Sequence, residues 1–126
     1  MSVNANVANL LYFDPTPADP YDDTVPDGKY DFLHIVVHEM GHLLGFGAGN
    51  VGNQYVSQVN GVSYFSGPNA EKVYGAPVPM DFASGVHIVS DDPGLSVMEA
   101  SLAKGVRVLP TALDKAFMTD MGYHML

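Results

Sequence analysis

The segment from His38 to Phe46, which reads HEMGHLLGF, constrains the fold more than any other part of the sequence. Histidines at positions i and i+4 project from the same side of an α-helix, so His38 and His42 can bind one Zn²⁺ while Glu39 stands beside the metal's open coordination position. The bare HExxH pattern also occurs by chance, and a helical histidine pair can simply face water. A zinc enzyme needs a third protein ligand, so the rest of the sequence decides between these interpretations.

The composition restricts both the metal ligands and the binding partners. None of the 126 residues is cysteine, so any zinc must be held by histidine and carboxylate groups. The net charge of −9 argues against nucleic acid or an anionic membrane as the main partner. No apolar run reaches membrane-spanning length, and residues 1–11 lack the basic n-region of a signal peptide. We therefore expect no membrane span, and any export signal to have been removed or to lie outside this chain.

The length and the 47% hydrophobic content predict a single domain over residues 1–126. In its first part, the apolar run Leu10–Phe13 is predicted to form a strand, and the acidic, proline-rich segment Asp14–Asp31 a loop. Asp31 can cap a half-buried helix over residues 32–46, in which apolar residues recur at helical spacing.

The second part of the chain alternates short strands and helices. Asn60-Gly61 separates Gln54–Val59 from Val62–Phe65 and predicts a tight hairpin with a type I′ turn. A proline at the first helical position predicts a short helix over residues 68–74. We expect a loop to follow, at Pro77 and Pro79.

The last predicted helix begins at Thr111, whose hydroxyl can cap it while Asp114 completes a capping box. It should end before Gly122 and pack under the active-site helix. Its apolar face is formed by Leu113, Ala116, Phe117 and Met121. Strands and helices together predict the α+β class.

The acidic segment before the first helix offers an additional metal site. Ca²⁺ binds carboxylate oxygens, and four aspartates there could supply them: Asp19, Asp22, Asp23 and Asp27. The alternative is a solvated acidic loop that binds no metal.

Several positions compete for the third zinc ligand. The extended pattern HExxHxxGxxH would place it at position 48, but that residue is Ala48, and the nearby Asn50 is a poor zinc ligand. Glu71 lies on the short downstream helix, where an ordinary exposed carboxylate is the alternative. His34 lies one turn before the first histidine of the motif, but a partly exposed histidine or one that only supports the site is the favoured interpretation. His87, taken alone, fits a plain loop histidine better than a ligand.

The order and spacing of several motifs resemble one family. HEMGHLLGF is followed by His87 and then by Met98, which lies within the run SVMEASLAKG, and the last helix ends in DMGY. Together with residues 65–79, these segments resemble the leishmanolysin-type metzincins and their smaller bacterial relatives. The resemblance runs from Leu10 to Tyr123. In that family the third histidine arrives after a long insertion and is followed by a methionine turn and a last helix.

The resemblance implies a role for each of these residues. His38, His42 and His87 are implied as zinc ligands and Glu39 as the general base and acid. Met98 is implied as the Met-turn residue, which supports the site by packing and does not bind the metal. The implied fold is an α+β zincin core with a short sheet, active-site helix, hairpin insertion, Met-turn and C-terminal helix. The family also implies a secreted or extracellular protein.

Two departures from the family pattern affect what is expected. Ile88 follows the third histidine where the family usually has tryptophan, so the packing there must differ. Only 37 residues precede His38, where metzincins carry a larger sheet. We expect either a trimmed core of a longer protein or a sheet completed by residues or a partner outside this chain.

The expected function is that of a zinc-dependent endopeptidase whose protein or peptide substrate lies extended along Leu10–Phe13. The alternative is a metzincin-like module that uses its metal structurally and binds proteins without cleaving them, although a purely structural site has no use for Glu39. A deformylase-type hydrolase usually takes a cysteine ligand, and this chain contains none.

Overall fold

The computed structural model describes residues 5–21, 24–47, 54–81 and 86–125, and these form a small α+β structure. The predicted class is therefore confirmed. None of the helices in the described ranges is long and apolar enough to cross a membrane. The helices are α1 (Ala5–Ala8), α2 (Phe32–Leu43), α3 (Pro68–Tyr74) and α4 (Ala112–Asp120). The strands are β1 (Leu11–Tyr12), β2 (Tyr30–Asp31), β3 (Val56–Val59), β4 (Val62–Phe65) and β5 (Val78–Met80).

The strands form two sheets. β1 and β2 pair in parallel, with Leu11 opposite Tyr30, whereas β3, β4 and β5 form an antiparallel sheet in that order. Asn60 and Gly61 at the β3–β4 turn both have positive φ, 52° and 81°, which is the backbone that a type I′ turn requires. The predicted hairpin is therefore confirmed, although β3 begins at Val56, two residues later than expected.

The predicted helix caps are also confirmed. The Asp31 carboxylate accepts a hydrogen bond from the His34 N–H at 3.3 Å and begins α2. Thr111 and Asp114 form both hydrogen bonds of a capping box at the start of α4. The helix over residues 68–74 lies where it was predicted, with Gly75 as its left-handed C-cap.

Helix α2 ends at Leu43, so the prediction of a helix to residue 46 was three residues too long. Gly45 has φ 106° and Gly47 has φ 73°, and these left-handed conformations turn the chain off the helix axis. The turn carries Phe46 into the core, where it is 1% exposed. Phe46, which fitted the helical spacing of apolar residues in the sequence, is thus buried because of the turn and not because the helix continues.

Two segments predicted as loops contain strands. Val78 and Met80 are both buried and Pro79 lies between them, partly exposed, so this segment alternates as a strand and pairs with β4. Proline is tolerated there because its carbonyl accepts a hydrogen bond from Val89 and its missing N–H is not needed. Similarly, the acidic segment 14–31 is a loop only until β2, which begins at Tyr30.

Three aromatic rings join the main elements in the core. The ring of Phe117 on α4 contacts Phe46 and Phe65, with ring centroids 4.9 Å and 4.7 Å apart in edge-to-face geometry. Because the three residues lie on α4, after α2 and on β4, the terminal helix packs against both the hairpin sheet and the exit of α2.

A buried ion-pair cluster ties the start of α2 to the segment before α4. Arg107 donates to Asp31 through Nε at 2.7 Å and through Nη2 at 3.0 Å, and its Nη1 donates to Asp14 at 2.7 Å. Both carboxylates and the guanidinium are almost fully buried. The hydrogen bonds to Asp31 raise the pKa of Arg107 above its ordinary value, so the cluster keeps its cation at every accessible pH.

Replacing Arg107 with alanine should lower the free energy of unfolding by about 3–5 kcal/mol, because two buried carboxylates would lose their cation. The measurement is the urea midpoint of unfolding, with Lys72→Ala as a control that removes one positive charge from an exposed position. Similar midpoints for the two variants would contradict the role given to the cluster.

Candidate metal centre

Three histidine side chains meet at one point, two from helix α2 and one from a segment 45 residues further along the chain. The Nε2 atom of His42 lies 3.1 Å from Nε2 of His38 and 3.2 Å from Nε2 of His87. Nitrogen ligands about 2.0–2.1 Å from a tetrahedral zinc ion lie about 3.3–3.4 Å from one another, so both distances from His42 are close to those that this geometry requires. Within the described ranges, these three residues are the group that can hold a metal ion.

In each ring, the hydrogen bond at Nδ1 determines whether Nε2 carries a proton or is free to bind a metal. Nδ1 of His38 lies 2.7 Å from the Val97 carbonyl, Nδ1 of His42 lies 3.0 Å from the Phe46 carbonyl, and Nδ1 of His87 lies 3.3 Å from an Asp81 carboxylate oxygen. Carbonyl and carboxylate oxygens only accept hydrogen bonds, so the proton of each neutral ring belongs on Nδ1.

The three Nε2 atoms therefore face one another with lone pairs and no protons between them. Lone pairs at 3.1 and 3.2 Å repel one another, and a cation among the three nitrogens would remove that repulsion. A set of three neutral imidazoles is a donor set that suits zinc and leaves a fourth position open. The residues thus fit the ion that the sequence motif implies, in number, spacing and protonation.

Burial favours the neutral form of His38. Removal of its ring from water lowers the pKa of His38 below the ordinary histidine value, and positive charge on His42 or His87 would lower it further, against the opposing effect of the Val97 carbonyl. A lowered pKa means that a proton competes with a metal ion for this nitrogen only at lower pH than it would at a free histidine.

Strand β5 and the segment after it bring His87 to the site. The Asp81 N–H donates to the His87 carbonyl at 2.9 Å and the Val89 N–H donates to the Pro79 carbonyl at 3.1 Å, so the chain folds back antiparallel on β5. Asp81 also accepts hydrogen bonds through Oδ1 from the N–H groups of Val86 and His87. One carboxylate therefore holds both the backbone and the ring of the third histidine.

Ile88 lies between β5 and the segment that contains Met98. Its N–H donates to the Met98 carbonyl at 2.9 Å and its carbonyl accepts from Ala100 at 3.2 Å. Its side chain is 1% exposed. The residue that departs from the family pattern is thus a core residue, and its backbone joins the segment of the third histidine to the segment of Met98.

Met98 lies directly against α2 between the two motif histidines. It is 2% exposed, and a Cβ atom added to Gly41 would lie only 2.3 Å from its sulfur. A side chain at position 41 would therefore displace Met98, which explains a glycine in the middle of a helix. Met98 therefore packs against α2 at the residue before His42.

Glu39 is exposed and lines a cavity of about 190 Å³ beside His38. Residues from the segment after Met98 form the opposite wall, and burial there raises the pKa of Glu99 above the ordinary glutamate value. The carboxylate of Glu39 is thus accessible next to the first ligand. The complete lining is His34, Ile35, His38, Glu39, Glu99, Ala100, Ser101 and Leu102.

The other candidate ligands lie outside the cluster formed by the described residues. His34 is 6% exposed, its Nδ1 has no hydrogen-bond partner there, and its burial lowers its pKa. Glu71 is partly exposed on α3. Neither belongs to the group of converging ligands. Ala48 and Asn50 fall outside the described residues.

The calcium site stays a prediction. Asp19 and Asp27 are exposed, and Asp22 and Asp23 fall outside the described residues. The two ends of the acidic segment, Asp14 and Asp31, bind Arg107.

No protein-family model matches the chain, and neither a curated protein nor a solved structure matches it. The candidate metal centre therefore rests on atoms of this chain alone. Those atoms are the three facing nitrogens and the oxygens that fix the protons on the far side of each ring.

Replacing Asp81 with asparagine should weaken metal binding about 10–100-fold, because one carboxylate oxygen becomes an NH₂ group that cannot accept hydrogen bonds. The measurement is competition for Zn²⁺ with a chromophoric chelator. Asp92→Asn is the control, since Asp92 is an exposed aspartate that accepts a backbone hydrogen bond from Gly94. Equal affinities in the two variants would show that Asp81 does not orient His87.

Proposed function

We propose that this protein is a zinc-dependent endopeptidase of the metzincin type, similar to the leishmanolysin family. The observation that carries the proposal is the convergence of three Nε2 atoms beside an accessible glutamate. That glutamate lies on α2, the helix that also carries two of the three histidines. His38, His42 and His87 would hold the ion, and Glu39 would act on the substrate and water next to it.

The chemistry divides between the ion and the chain. A bound zinc ion supplies a water of lowered pKa and polarises the carbonyl of the scissile bond. Glu39 accepts the proton of the attacking water and transfers it to the departing amine. The hydrogen bonds at Nδ1 keep the three rings in the tautomer that leaves Nε2 free for the metal.

Two further features support a metzincin over an unrelated zinc hydrolase. Met98 packs against Gly41 of α2, and α4 packs against the exit of α2 through Phe117. The order of active-site helix, hairpin, third histidine, methionine and last helix is the order that the resemblance requires. An extended substrate along Leu10–Phe13 stays part of the proposal, with β1 as the strand that it would join.

A purely structural metal site is the competing function, and Glu39 distinguishes the two. Glu39→Gln should keep its zinc and lose about 10²–10⁴-fold in the rate of casein cleavage, since the amide cannot accept the proton. Glu71→Gln is the control, because it makes the same change on α3, outside the cluster. Cleavage at the parental rate by the zinc-loaded Glu39 variant would refute the assigned base.

The third ligand is tested separately. His87→Ala should bind zinc far more weakly than the parent, because two imidazoles remain where a catalytic site needs three protein ligands. Metal content by mass spectrometry on dialysed protein measures this, with His124→Ala as the control at an exposed histidine. Full zinc occupancy in the His87 variant would indicate that the third ligand is Glu71 or His34.

A further inference from the structure

Asp114 is a buried residue of α4 whose carboxylate accepts hydrogen bonds from residues outside that helix. It is 5% exposed, and besides capping α4 it accepts hydrogen bonds from the segment before Met98. The Val97 N–H donates to Asp114 Oδ2 at 3.1 Å, and the Ser96 hydroxyl donates to Asp114 Oδ1. The Thr111 hydroxyl lies 2.9 Å from both the Leu95 carbonyl and Asp114 Oδ2, and these two acceptors share its one proton.

The same contacts determine the direction of the carbonyl that binds a candidate metal ligand. Ser96 Oγ accepts a hydrogen bond from the Met98 N–H at 2.9 Å. The Met98 N–H and the Val97 carbonyl belong to one planar peptide group and point in opposite directions, so fixing one fixes the other. That carbonyl is the acceptor 2.7 Å from Nδ1 of His38.

We infer that Asp114 is a positioning residue for the metal ligand His38, acting through Ser96 and Val97. The inference rests on the proposed metal centre. Asp114 holds the Val97 N–H directly and the following peptide through Ser96, so the carbonyl that orients the His38 ring is fixed from both sides. Hydrogen bonds in such a chain polarise one another, so the carboxylate also strengthens Val97 as an acceptor and makes Nε2 of His38 a better donor to the ion.

The chain contains a matched control on the same helix. Asp120 is 7% exposed, and its carboxylate accepts backbone hydrogen bonds from Asn69 and Ala70 at the start of α3. Asp114 and Asp120 are thus both buried aspartates of α4 that cap a helix with their carboxylates. Of these two, Asp114 is the one whose contacts lead to a candidate metal ligand.

The test compares Asp114→Asn with Asp120→Asn. Both substitutions place an NH₂ group against backbone N–H donors, so both should lower the urea midpoint of the metal-free protein. Only Asp114→Asn should weaken Zn²⁺ binding, by about tenfold or more in chelator competition, and shift the visible absorption bands of the Co²⁺-loaded protein. A loss of stability without a change in affinity or spectrum would show that Asp114 is merely structural and would overturn the inference.

Ser96→Ala provides a second variant in case Asp114→Asn does not fold. It removes the hydroxyl between Asp114 and the Met98 N–H and leaves the cap of α4 in place. It should weaken Zn²⁺ binding several-fold, whereas Ser63→Ala, at another buried serine in β4, should not. Parental affinity and Co²⁺ spectrum in Ser96→Ala would also overturn the inference.

Failure of this inference can be distinguished from failure of the proposed function. A parent protein that binds zinc but cleaves no peptide would refute the proposed endopeptidase activity. The Zn²⁺ affinities of the Asp114 and Asp120 variants would then still decide the role of Asp114. A parent protein that binds no divalent cation would overturn both.

Discussion

The convergence of three imidazole rings on one point is the constraint on which the rest of this structure depends. Nε2 atoms that carry no proton repel one another at 3.1 and 3.2 Å, so other contacts must hold the rings in place. Nδ1 of each ring is hydrogen-bonded to an oxygen, and each oxygen belongs to a different segment. These segments are the one before Met98, the turn after α2 and the end of β5. Sheet, turn and terminal helix therefore converge on the same few atoms.

Buried aspartates hold this arrangement together in a chain with few fixed cations. Asp31 begins α2 and binds Arg107, Asp114 begins α4 and holds the segment before Met98, and Asp120 anchors the start of α3. Each buried carboxylate accepts several hydrogen bonds, which offsets the cost of removing its charge from water. The acidic composition thus has a structural use in addition to its effect on the protein's surface.

Local signals in the sequence predicted the parts of the fold whose causes are local. The cap at Asp31, the turn at Asn60-Gly61 and the capping box at Thr111 each involve residues within four positions, and all three were found. Strand β5 and the Arg107 cluster depend on partners far away along the chain, so neither had a recognisable pattern. The motif indicated two of the converging histidines, but His87 was placed with them only through the family resemblance. Asp81 had no signal, because an aspartate six residues before a histidine is an unremarkable spacing.

The convergence of the histidines also has a consequence for folding. His42 and His87 are 45 residues apart in the chain, so an ion bound to both closes a large loop that contains the hairpin, α3 and β5. An ion that binds the folded chain and not the unfolded chain would shift the folding equilibrium toward the folded state by mass action. If the proposed metal centre is correct, the thermal stability of the hairpin and of the short helix would therefore depend on the concentration of free metal, although neither element supplies a candidate ligand.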